Sequence, residues 1–168
     1  MSQVMPPGSP YPPPRYTADD PKISARLRRH DTGAELTSRS GLRYHYLVTG
    51  AGTGGDYGLY RVDLPPASGG PGPHFHRTMS EAFFVLEGRM RLHDGNGWVD
   101  GDTGDFLYVP PGGIHGFANE ADAPASILIL FAPGAPREGY FEGLQRLAEM
   151  TDAERTQFFV DHDNFFVI

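Results

Sequence analysis

The sequence predicts an all-β fold, an antiparallel barrel or sandwich that ends in one or two short helices. Between residues 42 and 132 there are eight or nine short runs with strand character, each bounded by Gly, Pro, Asn or Asp. Gly (22) and Pro (16) are abundant for 168 residues, which favours many tight turns over long helices. Helical spacing of apolar residues appears only from residue 137 onward.

The elements follow in order. Residues 1–14 hold six prolines, Pro6, Pro7, Pro10, Pro12, Pro13 and Pro14, and can form neither a helix nor a central strand. With the polar, unpatterned stretch that follows, they make an irregular N-terminal arm over residues 1–40. The strand pattern defines a barrel over 41–133. Residues 42–49 are aromatic and β-branched and end in a Gly-rich turn at 50–55, and 57–64 follow as the next strand. A Pro/Gly linker over 65–73 leads to 82–86 and 89–93, which are separated by Glu87-Gly88. Asp94-Gly95-Asn96-Gly97 turns the chain into a short strand at Trp98-Val99, and 106–109, 114–118 and 126–132 complete the set. The segment 134–168 is helical. Residues 137–150 place Tyr140, Phe141, Leu144, Leu147 and Ala148 on one face, and Thr151-Asp152-Ala153-Glu154 is a capping box for a second helix to about His162.

Composition bounds the function. A net charge of −7 argues against general affinity for nucleic acid or anionic membrane. The sequence contains neither an apolar run long enough to span a bilayer nor the pattern of a secretory signal, so a cytoplasmic location is expected. With no cysteine, any metal must be held by His, Asp or Glu.

His74 and His76 are two apart, so on a strand both side chains project to one face and Phe75 to the other. Glu81 follows a four-residue turn and can bring its carboxylate back to the same point, and His115 comes from a later strand after Pro110-Pro111-Gly112-Gly113. Three neutral imidazoles and a carboxylate suit a borderline divalent ion and leave positions open. An isolated His-x-His would be a weak signal; here the flanking residues strengthen it. The first segment reads His74-x-His76, four residues, Glu81, six residues, Gly88; the second reads Gly104, five residues, Pro110-x-Gly112, two residues, His115, three residues, Asn119. From the chain's own composition, the second pattern would arise by chance with a probability on the order of 10⁻⁴.

These two segments resemble the signature motifs of the cupin superfamily, small single-domain type. One position departs: Ser68 stands where the family usually has Gly six residues before the first His, with Gly69 and Gly70 just after. The resemblance implies a jelly-roll β-barrel holding one divalent transition metal (Fe, Mn, Ni, Co, Cu or Zn) through His74, His76, Glu81 and His115. By strand parity Phe83 and Val85 share the face of Glu81, and Phe117 that of His115, so these three either wall a substrate pocket or fill the core. Asn119 either faces inward or stabilises a turn. His45 is the one other histidine in a clear strand, and His30, His93 and His162 read as surface residues.

Among single-domain cupins of this kind, ring-cleaving quercetinase-like dioxygenases and aromatic polyketide cyclases recur. The first is the leading expectation, with Glu81 as ligand or as the catalytic base; the alternatives are the cyclase and a non-catalytic metal- or ligand-binding cupin. The expected partners are a small-molecule substrate and a second copy of the chain. Open sheet edges and the apolar tail 165–168 both need cover, and so predict a homodimer.

Overall fold

A computed structural model describes residues 7–167, so the first six residues of the Pro-rich arm and Ile168 of the tail lie outside the described residues. The chain divides into two units that meet between His30 and Asp31. In the first unit residues 7–30 form neither helix nor strand, as its proline content requires. Tyr16 donates to the Asp20 carbonyl at 2.5 Å and Lys22 Nζ lies 4.9 Å from the Tyr16 ring centroid.

The second unit is built on eleven short strands, all paired antiparallel. They are β1 (Leu36–Thr37), β2 (Arg43–Val48), β3 (Gly58–Leu64), β4 (His74–Phe75), β5 (Ser80–Glu87), β6 (Arg89–His93), β7 (Trp98–Asp102), β8 (Phe106–Val109), β9 (Gly116–Ala118), β10 (Ala125–Ala132) and β11 (Phe165–Phe166). One sheet has the order β1-β2-β3-β10-β5-β8, a second has β7-β6-β9, and β11 pairs with β4. This is the expected jelly roll, mostly β with short helices at its end.

Strand alternation decides which residues meet in the middle. Tyr60, Val62 and Leu64 of β3, Phe83 and Val85 of β5, and Ile127, Ile129 and Phe131 of β10 are all buried, and form one core with Met90 and Leu92 of β6 and Phe117 of β9. Gly88, between β5 and β6, has φ +75°, and a Cβ there would stand 2.6 Å from the Pro124 carbonyl oxygen, so the reversal needs glycine on two counts. The displaced glycine of the first motif has a similar reason. A Cβ on Gly70 would lie 1.9 Å from the Phe117 carbonyl oxygen, so the close approach of that loop to β9 is carried here by Gly70.

Two buried polar clusters secure the outer strands. Asp63 accepts from Arg61 at 2.6 Å and from Ser126 at 2.8 Å, and lies 3.1 Å from both Arg43 and His45, so His45 belongs to this cluster. Asn119 is fully buried; its amide donates to the carbonyls of Pro65 and Ala123, both at 2.9 Å, and its oxygen accepts from Ala121 N at 3.1 Å. The turn-stabilising role of Asn119 is therefore the one realised.

The C-terminal segment covers the aromatic end of the core. α1 (Arg137–Gly143) buries Tyr140 and Phe141, with the Phe141 ring stacked 4.9 Å from Tyr44 and edge-on to Tyr60 at 5.2 Å. The single helix expected over 137–150 changes at Gly143 into a 3₁₀ segment, Leu144–Glu149. Glycine there has low helix propensity, and a Cβ would meet Phe158 at 2.3 Å, so close packing is favoured over helix continuity. α2 (Asp152–Asp161) starts at the expected capping box, with Thr151 Oγ1 accepting from Glu154 N and Glu154 Oε2 from Thr151 N. Asn119→Ala strands several buried backbone groups, and we expect a loss of about 2–4 kcal/mol in urea unfolding. A change within about 0.5 kcal/mol, typical of a neutral surface site, would contradict that role.

Candidate metal centre

The four candidate ligands come from three stretches of chain. His74 on β4 faces His115 across an isolated antiparallel bridge, each backbone N–H donating to the other's carbonyl at 2.8 Å. That register puts the two rings side by side, centroids 4.3 Å apart. His76 lies one pleat beyond His74, its carbonyl accepting from Gly112 N at 2.7 Å, and its ring centroid is 5.1 Å from those of His74 and His115. Glu81 is the second residue of β5, held between Phe131 of β10 and Val109 of β8, with its side chain on the buried face. One ligand atom from each residue lies within 4.8 Å of the others, and all four residues are buried.

The protonation pattern is set from behind. Each Nδ1 lies against a backbone carbonyl, His74 on Gly72 at 2.9 Å, His115 on Gly113 at 2.9 Å and His76 on Asp163 at 2.6 Å. A carbonyl only accepts, so Nδ1 carries the hydrogen and Nε2 of each neutral ring presents its lone pair inward. His76 Nε2 is 2.9 Å and His115 Nε2 2.7 Å from Glu81 Oε2, and the latter nitrogen is buried with no partner of hydrogen-bonding geometry. Three imidazole lone pairs and one carboxylate converging in a dry site fit a divalent cation. Burial would raise the Glu81 carboxyl, but the His115 and His76 imidazoles packed against it hold it far below the usual carboxylate range. Burial, with the neighbouring His115 acting in the same direction, pushes His74 down to about 4, so His74 is neutral and ready to ligate. For His115, burial is outweighed by the Glu81 carboxylate 2.7 Å from its Nε2, and its pKa rises.

The C-terminal tail contributes to the centre in a way that sequence reasoning missed. Asp163, at φ +56°, supports His76 with its carbonyl while its carboxylate accepts from Arg77 N, Thr78 N and Thr78 Oγ1 at 2.7–3.1 Å, fixing the turn between His76 and Glu81. Beyond it, β11 pairs Phe165 with Phe75 and Phe166 with His74, and the Phe166 ring lies 5.3 Å from the His74 ring. The available signal was Asp163-Asn164, a pair tolerant of the left-handed region, ahead of an aromatic run.

A cavity of about 530 Å³ opens beside the centre, bordered by His74, Glu81, Phe117, Tyr140 and Phe141 and by the buried Arg137. Of the three residues expected to wall a pocket, Phe117 lines this cavity. Phe83 is buried behind it, 5.5 Å from the Phe117 ring and 5.7 Å from His115, and Val85 is fully buried in the core. Tyr140 and Phe141, expected only on the apolar face of a helix, and Arg137, for which the sequence predicts no role, are brought by the fold to the cavity.

Residues 60–131 match the family model described as a cupin domain. Solved structures with the same fold include KdgF from Halomonas sp., at 15% identity over 68% of this chain and 98% of that one (TM-score 0.59). A predicted oxalate decarboxylase from Thermotoga maritima matches at 21% identity over 65% and 99% (TM-score 0.56). A Cupin 2 conserved barrel domain protein from Salinispora arenicola covers 83% of this chain and 99% of its own at 20% identity (TM-score 0.51). No curated protein matches. At these identities the likeness shows the fold. Elemental analysis of purified His74→Ala and His115→Ala should find metal lost from both, with far-UV circular dichroism unchanged; wild-type stoichiometry in either would remove that residue from the centre.

Proposed function

The chain belongs to the cupin superfamily, and on that basis we propose that it is a metal-dependent dioxygenase acting on a flat, oxygen-rich aromatic substrate. The observation that carries this reading is a buried three-histidine, one-carboxylate cluster at the edge of a cavity walled by Tyr44, Phe117, Tyr140 and Phe141. His74, His76, His115 and Glu81 hold the ion. When bound, it supplies Lewis acidity toward substrate oxygens and, if redox-active, a path for electrons from substrate to O₂.

The remaining chemistry belongs to the side chains. The aromatic wall takes up the flat body of the substrate and displaces water, which strengthens every polar contact in the cavity. Phe166 and β11 hold the His74 ring in place, and Asp163 fixes both the tautomer of His76 and the turn that delivers Glu81. Glu81, ionised and in contact with the cavity, accepts the proton of a substrate hydroxyl at a carboxylate oxygen.

The proposal is tested by O₂ consumption in metal-loaded protein with a panel of flavonols and other polyphenols. Glu81→Gln should lower turnover by about 10²-fold or more while most of the metal is retained. Unchanged turnover would remove Glu81 from the chemistry, and substrate conversion without O₂ uptake would replace the dioxygenase with a cyclase.

We also propose that the chain is a homodimer. β8 is an outer strand of the larger sheet, and its Phe106 and Tyr108 are 64% and 59% exposed beside Phe84 of β5. An unpaired edge carrying aromatic side chains favours a second copy. Light scattering should give a dimer for the full chain and for a version ending at Asp163, since β11 pairs within its own chain; a monomeric full chain would overturn the proposal.

A further inference from the structure

Arg137 has no charge partner to match its burial. It is 4% exposed, and its guanidinium lies over the rings of Phe131 and Tyr140, 4.8 and 4.2 Å from their centroids. Of five N–H donors, one on Nη1 reaches the His162 carbonyl at 2.6 Å and one on Nη2 reaches Asn164 Oδ1 at 3.4 Å; Nε is buried with no partner at all. Among the described residues no carboxylate pairs with it. A buried guanidinium left with neutral acceptors is costly unless something else supplies the negative charge.

The cavity points to what supplies it. Arg137 lines the same cavity as His74 and Glu81, and Glu81 is the one acidic residue lining it among those described. A divalent ion at the centre together with Arg137 outweighs the single negative charge of Glu81, so an anion is the occupant that balances the site. The guanidinium fork matches a carboxylate by shape as well as charge. Ser68 also lines the cavity, and its hydroxyl is buried without a partner. The rest of the wall is largely apolar and aromatic, which suits a ring system on the same molecule.

We propose that the substrate is an aromatic carboxylate whose acid group is bound by Arg137 while its ring packs against the aromatic wall beside the metal centre. This rests on the cavity being the substrate site of the proposed enzyme, and it narrows flat aromatic substrates to anionic ones.

The test is calorimetric binding to protein loaded with zinc, which is redox-inert, with loading checked by elemental analysis. The probes are 1-hydroxy-2-naphthoate and 1-hydroxy-2-naphthamide, which differ only at the acid group, an anionic carboxylate in one and a neutral amide of similar size in the other. Naphthoate should bind more tightly, and Arg137→Met should shrink the ratio of the two affinities by roughly tenfold to a hundredfold. A purely structural Arg137 would weaken both probes alike, so an unchanged ratio, or equal binding to wild type, overturns the proposal. Should Arg137→Met fail to fold, Arg137→Lys keeps the charge without the fork and should lower the ratio several-fold. In wild-type protein the Arg137 Nε–H proton resonance, identified by its loss in Arg137→Lys, should move with naphthoate and stay with naphthamide; a resonance indifferent to naphthoate also overturns it. If zinc does not bind, the metal reading fails by itself and the same ratio, measured without metal, still decides the role of Arg137. Naphthoate binding through Arg137 with no O₂ uptake from any of the substrate panel in protein loaded with a redox-active metal would sink the dioxygenase alone.

Discussion

A carboxylate in the interior of a barrel is tolerable only if donors or cations surround it, and Glu81 places that demand on the architecture around it. β5 points Glu81 inward because alternation leaves no choice once Phe83 and Val85 are committed to the core. The charge is then met by imidazoles carried on other stretches, with His115 and His76 within 2.7 and 2.9 Å. The mutual backbone bonds of His74 and His115, the Gly112 bond to the His76 carbonyl and the Asp163 clamp on residues 76–78 all hold those imidazoles in range. Breaking a buried charge cluster by removing one partner typically costs about 3–5 kcal/mol, so the same arrangement that prepares a ligand set also constrains the loops that carry it.

Closure of the barrel depends on the last thirty or so residues, from Arg137 onward, and on the centre as much as on the core. α1 covers the aromatic cluster of Tyr44, Tyr60 and Phe131 and brings Arg137 to the cavity. β11 then completes a two-stranded sheet with β4, the strand that carries His74. With two residues it is held by few backbone bonds, so the tail is the least secured support of the centre, and opening there would reach the ligands before it reached the core.

The jelly roll does not select a reaction, and the solved structures that share it resemble this chain in fold. Selection falls to the cavity wall. Its aromatic surface, the single carboxylate of Glu81 and the buried guanidinium of Arg137 are properties of this chain's own side chains. They govern which molecules can sit beside the metal centre, whichever ion occupies it.

Much of this was legible from residue order, because much of it is local. Strand alternation and turn residues gave β2, β3, β5, β6, β8 and β10 close to their observed limits, and Thr151-Asp152-Ala153-Glu154 marked the start of α2. The ligand set was legible because its spacing is fixed by strand parity and by the two motifs. β1, β4 and β11 were not, since a two-residue strand has no period to detect and exists only through its partner. The 3₁₀ break after Gly143 was set by Phe158, a residue fifteen positions away that no helical periodicity reports. For the same reason Arg137 carried no signal of its own, and Asp163-Asn164 with the apolar tail after it marked a turn and a run needing cover without showing what they meet. Sequence determined the barrel and the four candidate ligands, through short-range rules of pleat and turn. Tertiary structure alone decided what stands behind His76 and what walls the cavity, because those contacts join residues many tens of positions apart and depend on packing rather than on period.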